Sequence, residues 1–221
     1  MISLPMRLSD VESITPLGLL AGGHVTPIDH IDFNPLDFHS APATFEVYVT
    51  GIGLISEICT RRSHTGVGLE YRVVLQHSAN FYSYYDLIDV LDPAIANQIP
   101  AGALDGGKIY RGPIKVNAGQ VLGRIGGKTL DFANVDLNTF LPGFVRPSSY
   151  LRGNWFLQGT NGYFGAVSDN DGLGYWSGHL AIVPYVMDPD LYVVSLGNFK
   201  GQATQLGVRE MPADPAKITP A

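Results

Sequence analysis

Only one cysteine occurs among the 221 residues, so the chain can form neither an internal disulfide nor a Cys-x-x-Cys metal or redox motif. Charged residues are also few, at 15%, and the formal net charge is −6. The 14 lysines and arginines form no cluster beyond Arg61-Arg62, which argues against a surface that follows nucleic-acid phosphates. No stretch approaches the roughly 20 apolar residues of a membrane-spanning helix. We therefore expect a globular protein without a nucleic-acid partner or a membrane span.

Glycine and proline are abundant, with 26 and 15 residues, beside 45% hydrophobic residues. This balance favours short strands joined by tight turns over long amphipathic helices. Seven early runs are rich in β-branched and aromatic residues, and no crossover helix separates them. These runs are Ile28–Phe33, Thr44–Val49, Leu54–Thr60, Leu69–His77, Phe81–Leu87, Gln120–Ile125 and Thr129–Val135. The sequence therefore predicts an all-β fold with antiparallel sheets arranged as a sandwich or a barrel.

One short helix is predicted after Asp92, which is a favourable N-cap, with Pro93 as its first residue and its end before Pro100. We expect residues 1–150 to form the main domain and residues 151–221 a small β extension that packs on it. The extension is rich in aromatic residues, namely Trp155, Phe156, Tyr163, Tyr175 and Trp176. These side chains either form a platform for sugars or extended polymers or cover the main sheet.

The segment from residue 22 to residue 33 contains two histidines, His24 and His30, and two aspartates, Asp29 and Asp32. Imidazole nitrogen and carboxylate oxygen are zinc ligands, and a catalytic zinc needs three protein ligands and an open position for water. In a strand, His30 and Asp32 face the opposite way from Asp29, so the four cannot all be ligands. His24 and Asp29 either bind a metal together or satisfy backbone groups of the turn between them.

Four further motifs follow this segment in order along the chain. They are a strand that ends in His77-Ser78, then Tyr84-Tyr-Asp86-Leu87, a Gly-containing hairpin over Val116–Gly123, and Leu130-Asp131-Phe132. Over roughly residues 14–137 this order resembles that of the lysostaphin- and LytM-type zinc endopeptidases. The resemblance implies a duplicated hybrid-motif fold with a lipoyl-like hairpin, a bound zinc ion and hydrolase activity on peptides.

The resemblance implies a metal site formed by His24, Asp29 and Asp131, with zinc as the cofactor. His24 and Asp29 are one residue further apart than the family spacing, a difference that a β-bulge can absorb. Asp131 stands where the family has a histidine ligand. Aspartate also binds zinc, but a second carboxylate makes the metal a weaker Lewis acid.

The catalytic residues that the resemblance implies also differ from the family pattern. The two catalytic histidines of the family fall on Asp86 and Thr129, so a base and a single hydrogen-bond donor replace two imidazoles. His77 is either a substitute base or ligand beside them or a hydrogen-bonded structural histidine at a strand end. His30 is the other substitute.

Three functions follow from these residues. The first is a divergent, exported, metal-dependent hydrolase, peptidase-like and acting on an amide or an ester. The second is a non-catalytic relative that binds envelope peptides or glycans, and the third is a structural domain whose C-terminal aromatics form a contact. The low lysine content, with abundant tyrosine, glycine and asparagine, is typical of a secreted or cell-envelope domain, although Met1–Pro5 lacks the features of a secretory signal.

Overall fold

The computed structural model describes residues 3–20, 24–63, 68–136, 153–157 and 177–208. The chain divides into two compact units. The first comprises Met1–Thr15 and His30–Phe140, and the second comprises Pro16–Asp29 and Leu141–Ala221. The boundary predicted between residues 150 and 151 lies outside the described residues and stays a prediction.

The described part of the first unit contains strands, one short α-helix, α1, and two single-turn 3-10 helices, Leu8–Asp10 and Asp105–Gly107. The strands are β1 (Val11–Thr15), β2 (Ile31–Pro35), β3 (Phe45–Tyr48), β4 (Gly53–Arg62), β5 (Leu69–Gln76), β6 (Phe81–Ile88), β7 (Val90–Leu91), β8 (Ile109–Tyr110), β9 (Ile114–Val116), β10 (Val121–Ile125) and β11 (Leu130–Asp136), and the helix α1 is Pro93–Ala96. The strand pairs are antiparallel. The predicted all-β class with antiparallel sheets and one short helix is confirmed.

These strands form two sheets with the hydrophobic core between them. The larger sheet has the order β1-β2-β11-β6-β5-β4-β8, with β9 also paired to β4, and the smaller has the order β3-β10-β7. Buried residues of both sheets belong to one cluster, including Ile58, Val73 and Tyr85 from the larger sheet and Val47 and Leu122 from the smaller. Among the described strands neither sheet closes into a barrel. The finer prediction of a duplicated hybrid motif with a lipoyl-like hairpin stays a prediction.

The predicted helix cap is present. A carboxylate oxygen of Asp92 accepts a hydrogen bond from the backbone N–H of Ala94 at 2.9 Å, and Pro93 is the first helical residue. Ile95 is fully buried in the core, which holds the helix against the sheets. The helix ends at Ala96, within the predicted limit.

A close backbone approach fixes the start of β11. A Cβ atom at Gly127 would clash with the carbonyl oxygen of Phe38, and one at Gly126 would stand 2.6 Å from the carbonyl oxygen of Ala41. Only glycine fits at such a distance from another backbone. This approach places Lys128 and Thr129 directly before β11.

The second unit contains a four-stranded antiparallel sheet with the order β12-β13-β14-β15. Its strands are β12 (Gly153–Phe156), β13 (His179–Tyr185), β14 (Asp188–Phe199) and β15 (Gln202–Val208). Trp155 and Phe156 lie on β12, whereas Tyr163, Tyr175 and Trp176 lie outside the described residues. In the described ranges of both units, no helix has the length and apolar character needed to cross a membrane.

Candidate metal centre

Three neighbouring strands of the larger sheet place carboxylates side by side. Asp131 on β11 lies opposite Asp32 on β2 and opposite Asp86 on β6. Directly opposite residues of antiparallel strands have Cβ atoms about 5 Å apart. Because their sequence neighbours Phe33, Leu130 and Tyr85 belong to the core, the three carboxylates lie on the face of the sheet that points away from it.

His30, directly before β2, joins two of these carboxylates. Its Nε2 atom lies 3.1 Å from Oδ1 of Asp32 and 3.7 Å from Oδ2 of Asp131. The three side chains are only 12–18% exposed, and one ligand atom from each lies within 4.8 Å of the others. One imidazole and two carboxylates fit a divalent cation such as zinc, which accepts nitrogen and oxygen ligands and keeps a further position for water. His30, Asp32 and Asp131 therefore form a candidate metal centre.

Thr129 supports the Asp131 ligand. Its hydroxyl donates a hydrogen bond to Oδ1 of Asp131 at 2.9 Å, which fixes the carboxylate with Oδ2 towards His30. Such an outer hydrogen bond orients a ligand before the metal arrives. Burial raises the pKa of Asp131 to about 6, although His30 and the Thr129 hydrogen bond act in the opposite direction.

The raised pKa of Asp131 predicts a stability change with pH in the metal-free protein. The folded state keeps the Asp131 proton between pH 3.8 and about 6, where the unfolded chain has lost it. The contribution of Asp131 protonation to the free energy of unfolding is therefore fully present below pH 3.8 and is lost as the pH rises through about 6. This loss is on the order of 2–3 kcal/mol. In urea unfolding, Asp131→Asn should gain stability relative to the wild type between pH 4 and pH 7. A difference in the free energy of unfolding between wild type and variant that stays constant over this pH range would contradict the raised pKa of Asp131.

Beside the candidate metal centre, ion pairs around the buried Glu70 and Lys128 link four charged side chains. Nζ of Lys128 lies 2.6 Å from Asp89 and 3.3 Å from Glu70, and Nε of Arg61 lies 2.7 Å from Glu70. Glu70 is fully buried and Lys128 is 6% exposed. Glu70 and Lys128 require these partners, because a buried charge without a partner is strongly unfavourable.

The ion pairs continue to the carboxylate beside Asp131. Nη1 of Arg61 lies 3.0 Å from Oδ2 of Asp86, and Nε of Arg72 lies 3.8 Å from the same oxygen. The other oxygen, Oδ1 of Asp86, accepts the backbone N–H of Leu87 at 2.8 Å. We call the alternating series Asp89, Lys128, Glu70, Arg61, Asp86 and Arg72 the charge chain.

The charge chain and the candidate metal centre differ in net charge. Three carboxylates and three cations of the charge chain cancel each other. Asp32 and Asp131 then leave two negative charges when His30 is neutral. A divalent cation would neutralise both, so the charges of these side chains also fit a metal.

The structure brings together part of the residues that the sequence predicted. Asp86 and Thr129 both lie beside Asp131, and their catalytic roles stay predictions. His24 and Asp29 belong to the segment Pro16–Asp29 of the second unit, and both have interaction partners. The ligand set His24, Asp29 and Asp131 stays a prediction, and the group His30, Asp32 and Asp131 is an alternative to it.

His77 is held at the end of β5 by both ring nitrogens. Nδ1 lies 2.9 Å from the carbonyl oxygen of Ile52, and Nε2 lies 2.8 Å from the hydroxyl of Ser83. The carbonyl can only accept, so Nδ1 carries a proton and donates it. Ser83 is three residues from Asp86 on β6, about 10 Å along the strand. These contacts favour the structural alternative for His77, and its catalytic role stays a prediction.

Arg61, Glu70, Arg72 and Lys128 were assigned no part in a site from the sequence. Glu70 and Arg72 alternate along the predicted strand Leu69–His77, which was the available signal that they share a face, and Arg61 directly follows the predicted strand Leu54–Thr60. Their meeting depends on the pairing Arg61↔Glu70 between β4 and β5, which the local sequence pattern does not determine.

No protein-family model and no curated protein matches the chain. Among solved structures it is similar to a zinc-containing peptidase from Vibrio cholerae, with 21% sequence identity and a TM-score of 0.32. The match covers 61% of this chain and 36% of that one, so the chain spans about a third of the length of that structure.

Proposed function

We propose that the chain is a divergent, exported, metal-dependent hydrolase with a divalent cation, preferably zinc, at His30, Asp32 and Asp131. The observation that carries this proposal is the convergence of one imidazole and two carboxylates within 4.8 Å on one face of the larger sheet. The two negative charges that remain there when the charge chain is balanced support a divalent ion. The composition, poor in lysine and rich in tyrosine, glycine and asparagine, supports export.

The chemistry at this site follows from its ligands. When bound, a divalent cation supplies Lewis acidity and a water of lowered pKa. Two carboxylate ligands weaken that Lewis acidity, so we expect esters to be hydrolysed faster than amides. Thr129 holds the Asp131 carboxylate in position through its 2.9 Å hydrogen bond.

Asp86 is the carboxylate next to the proposed ligands and is the proposed proton acceptor. Its Oδ2 atom lies 3.0 Å from Nη1 of Arg61, so accepting a proton weakens this ion pair. That cost predicts slow turnover. A base that is already engaged with a cation is less effective than a histidine whose pKa lies near the working pH.

A non-catalytic module that binds envelope peptides or glycans is the second candidate. The observation that favours it is that Asp86 and Thr129, at the two positions of the family's catalytic imidazoles, are both engaged with neighbouring side chains. Such a protein would need the sheet face but not the metal, and it would not turn over substrate.

Hydrolysis assays distinguish the two candidates. The zinc-loaded protein should hydrolyse p-nitrophenyl acetate and, more slowly, an unstructured peptide. Asp131→Asn or a chelator should lower both rates by at least about 100-fold, and added zinc should restore the chelated wild type. Arg7→Gln is the matched control, because Arg7 pairs with Glu46 next to the smaller sheet and should leave the rates unchanged. If the zinc-loaded wild type hydrolysed both substrates no faster than Asp131→Asn, the hydrolase would be rejected and the binding module favoured.

A further inference from the structure

We propose that Arg72 binds a carboxylate of the substrate beside the candidate metal centre. This inference rests on the proposed function, because it names the substrate class of the same site. Three observations support it, namely the position of Arg72 along the row of polar residues, the packing that holds its guanidinium, and the way in which Asp86 divides its charge between two arginines.

Arg72 continues the row formed by Asp32, Asp131 and Asp86 onto the next strand. Tyr71 pairs with Ile88 and Val73 pairs with Tyr85, so Arg72 on β5 stands across from Asp86 and Leu87 on β6. The extra residue on β6 coincides with the left-handed backbone of Leu87, at φ 68°. A substrate that lies across the strands from the metal would therefore pass Asp86 and reach Arg72.

The Arg72 guanidinium is held in place by an aromatic ring. Its Cζ atom lies 4.5 Å from the centroid of the Tyr84 ring, and its side chain is 38% exposed. A guanidinium over an aromatic face can still form two parallel hydrogen bonds with a carboxylate along the edge of its plane. Lysine could not replace this arrangement, because an ammonium group has no planar pair of donors.

Asp86 neutralises Arg72 less than it neutralises Arg61. Its Oδ2 atom lies 3.0 Å from Nη1 of Arg61 but 3.8 Å from Nε of Arg72, which is beyond hydrogen-bonding distance. Arg72 is therefore the cationic end of the charge chain. An anion that arrives from solvent meets a cation that is partly exposed and incompletely paired.

The spacing of the strands sets the length of the substrate. Arg72 and Asp131 lie on strands separated by β6, so they are about 10 Å apart at strand spacings of about 4.8 Å. An extended peptide advances about 3.3 Å per residue. The substrate is thus a peptide with a carboxylate about three residues from the bond at the metal, supplied either by its C-terminus or by an acidic side chain.

Calorimetric titration of the zinc-loaded protein with three acetylated tetrapeptides tests this inference. The first is tetraalanine with a free C-terminal carboxylate, the second is its C-terminal amide, and the third is the amide with glutamate as its last residue. The acid should bind about tenfold more tightly than the amide. If the glutamate peptide binds as tightly as the acid, a side-chain carboxylate serves Arg72 as well as a C-terminal one. If it binds more weakly, Arg72 prefers the C-terminal carboxylate.

Variants separate this inference from the proposed function. Arg72→Gln should reduce binding of the acid about tenfold and leave binding of the amide unchanged, Arg72→Lys should restore only part of the loss, and Arg7→Gln should change neither. Equal binding of acid and amide, or no binding of any peptide, would overturn the carboxylate site even if one zinc per chain is bound. If the protein binds no zinc, the proposed function fails. The same titrations on metal-free protein then still measure the preference for the acid peptide over the amide peptide.

Discussion

Protein incubated with excess zinc and then freed of unbound metal should retain about one zinc ion per chain. His30→Ala should lower the zinc affinity by about 100- to 1000-fold, since each ligand contributes several kcal/mol to a site of this kind. Asp32→Asn and Asp131→Asn should have effects of similar size, because each removes a carboxylate of the proposed ligand group. Elemental analysis gives the stoichiometry, and competition with a chromophoric chelator gives the affinity.

His24→Ala and Asp29→Ala are the matched controls for this prediction. They remove the same chemical groups from the segment that the sequence pattern favoured, and that segment belongs to the second unit. Unchanged zinc affinity in both, with loss in His30→Ala, would support the group His30, Asp32 and Asp131. The reverse pattern would favour His24, Asp29 and Asp131, and absence of bound zinc in the wild type would reject both ligand sets.

Local sequence rules predicted the helix cap and the runs that form β2 to β6, β10 and β11, but neither the short strands β1, β7, β8 and β9 nor the neighbours of each strand. Alternation of apolar residues marks β5 and β6, and Asp92 before Pro93 marks the helix, because these signals act within a few residues. The order β2-β11-β6 depends on packing between segments that are far apart in the chain. It therefore has no local signature.

The same limit explains the two alternative metal ligand sets. The sequence predicted that His30 and Asp32 share a strand face opposite Asp29, and the motif order led to Asp131. What it lacked was the register, in which Asp131 lies opposite Asp32 and Asp86. A shift of one residue in that pairing would turn these side chains to the other face. The choice between Asp29 and Asp32 could therefore not be made from spacing alone.

Lys128→Met should lower the free energy of unfolding by roughly 3–5 kcal/mol, because it removes one partner from a buried group of charges. Glu70 has no exposed surface and would lose the ammonium group 3.3 Å away, while Asp89 would lose its contact at 2.6 Å. Methionine keeps a similar volume, so the loss reports the charge rather than a cavity. Urea unfolding followed by circular dichroism measures the change.

Arg111→Gln is the comparison for Lys128→Met. Arg111 lies 3.1 Å from Glu57 but is 67% exposed, so its removal should cost less than about 1 kcal/mol. Replacing both Glu70 and Lys128, by glutamine and methionine, should recover part of the loss, because the uncompensated buried carboxylate is then gone. A loss for Lys128→Met no larger than that for Arg111→Gln would show that the buried pair contributes little to stability.

The charge chain also connects this stability effect to the site. Without Lys128, the fully buried Glu70 keeps Arg61 as a cationic partner, at 2.7 Å, and attracts it more strongly. Arg61 would then move away from Asp86, whose Oδ2 atom would turn to Arg72 as the remaining arginine within 4 Å. Arg72 would lose the incomplete pairing on which carboxylate binding depends. Lys128→Met should therefore weaken the preference for acid over amide peptides, although Lys128 itself pairs with Glu70 and Asp89 at the opposite end of the charge chain from Arg72.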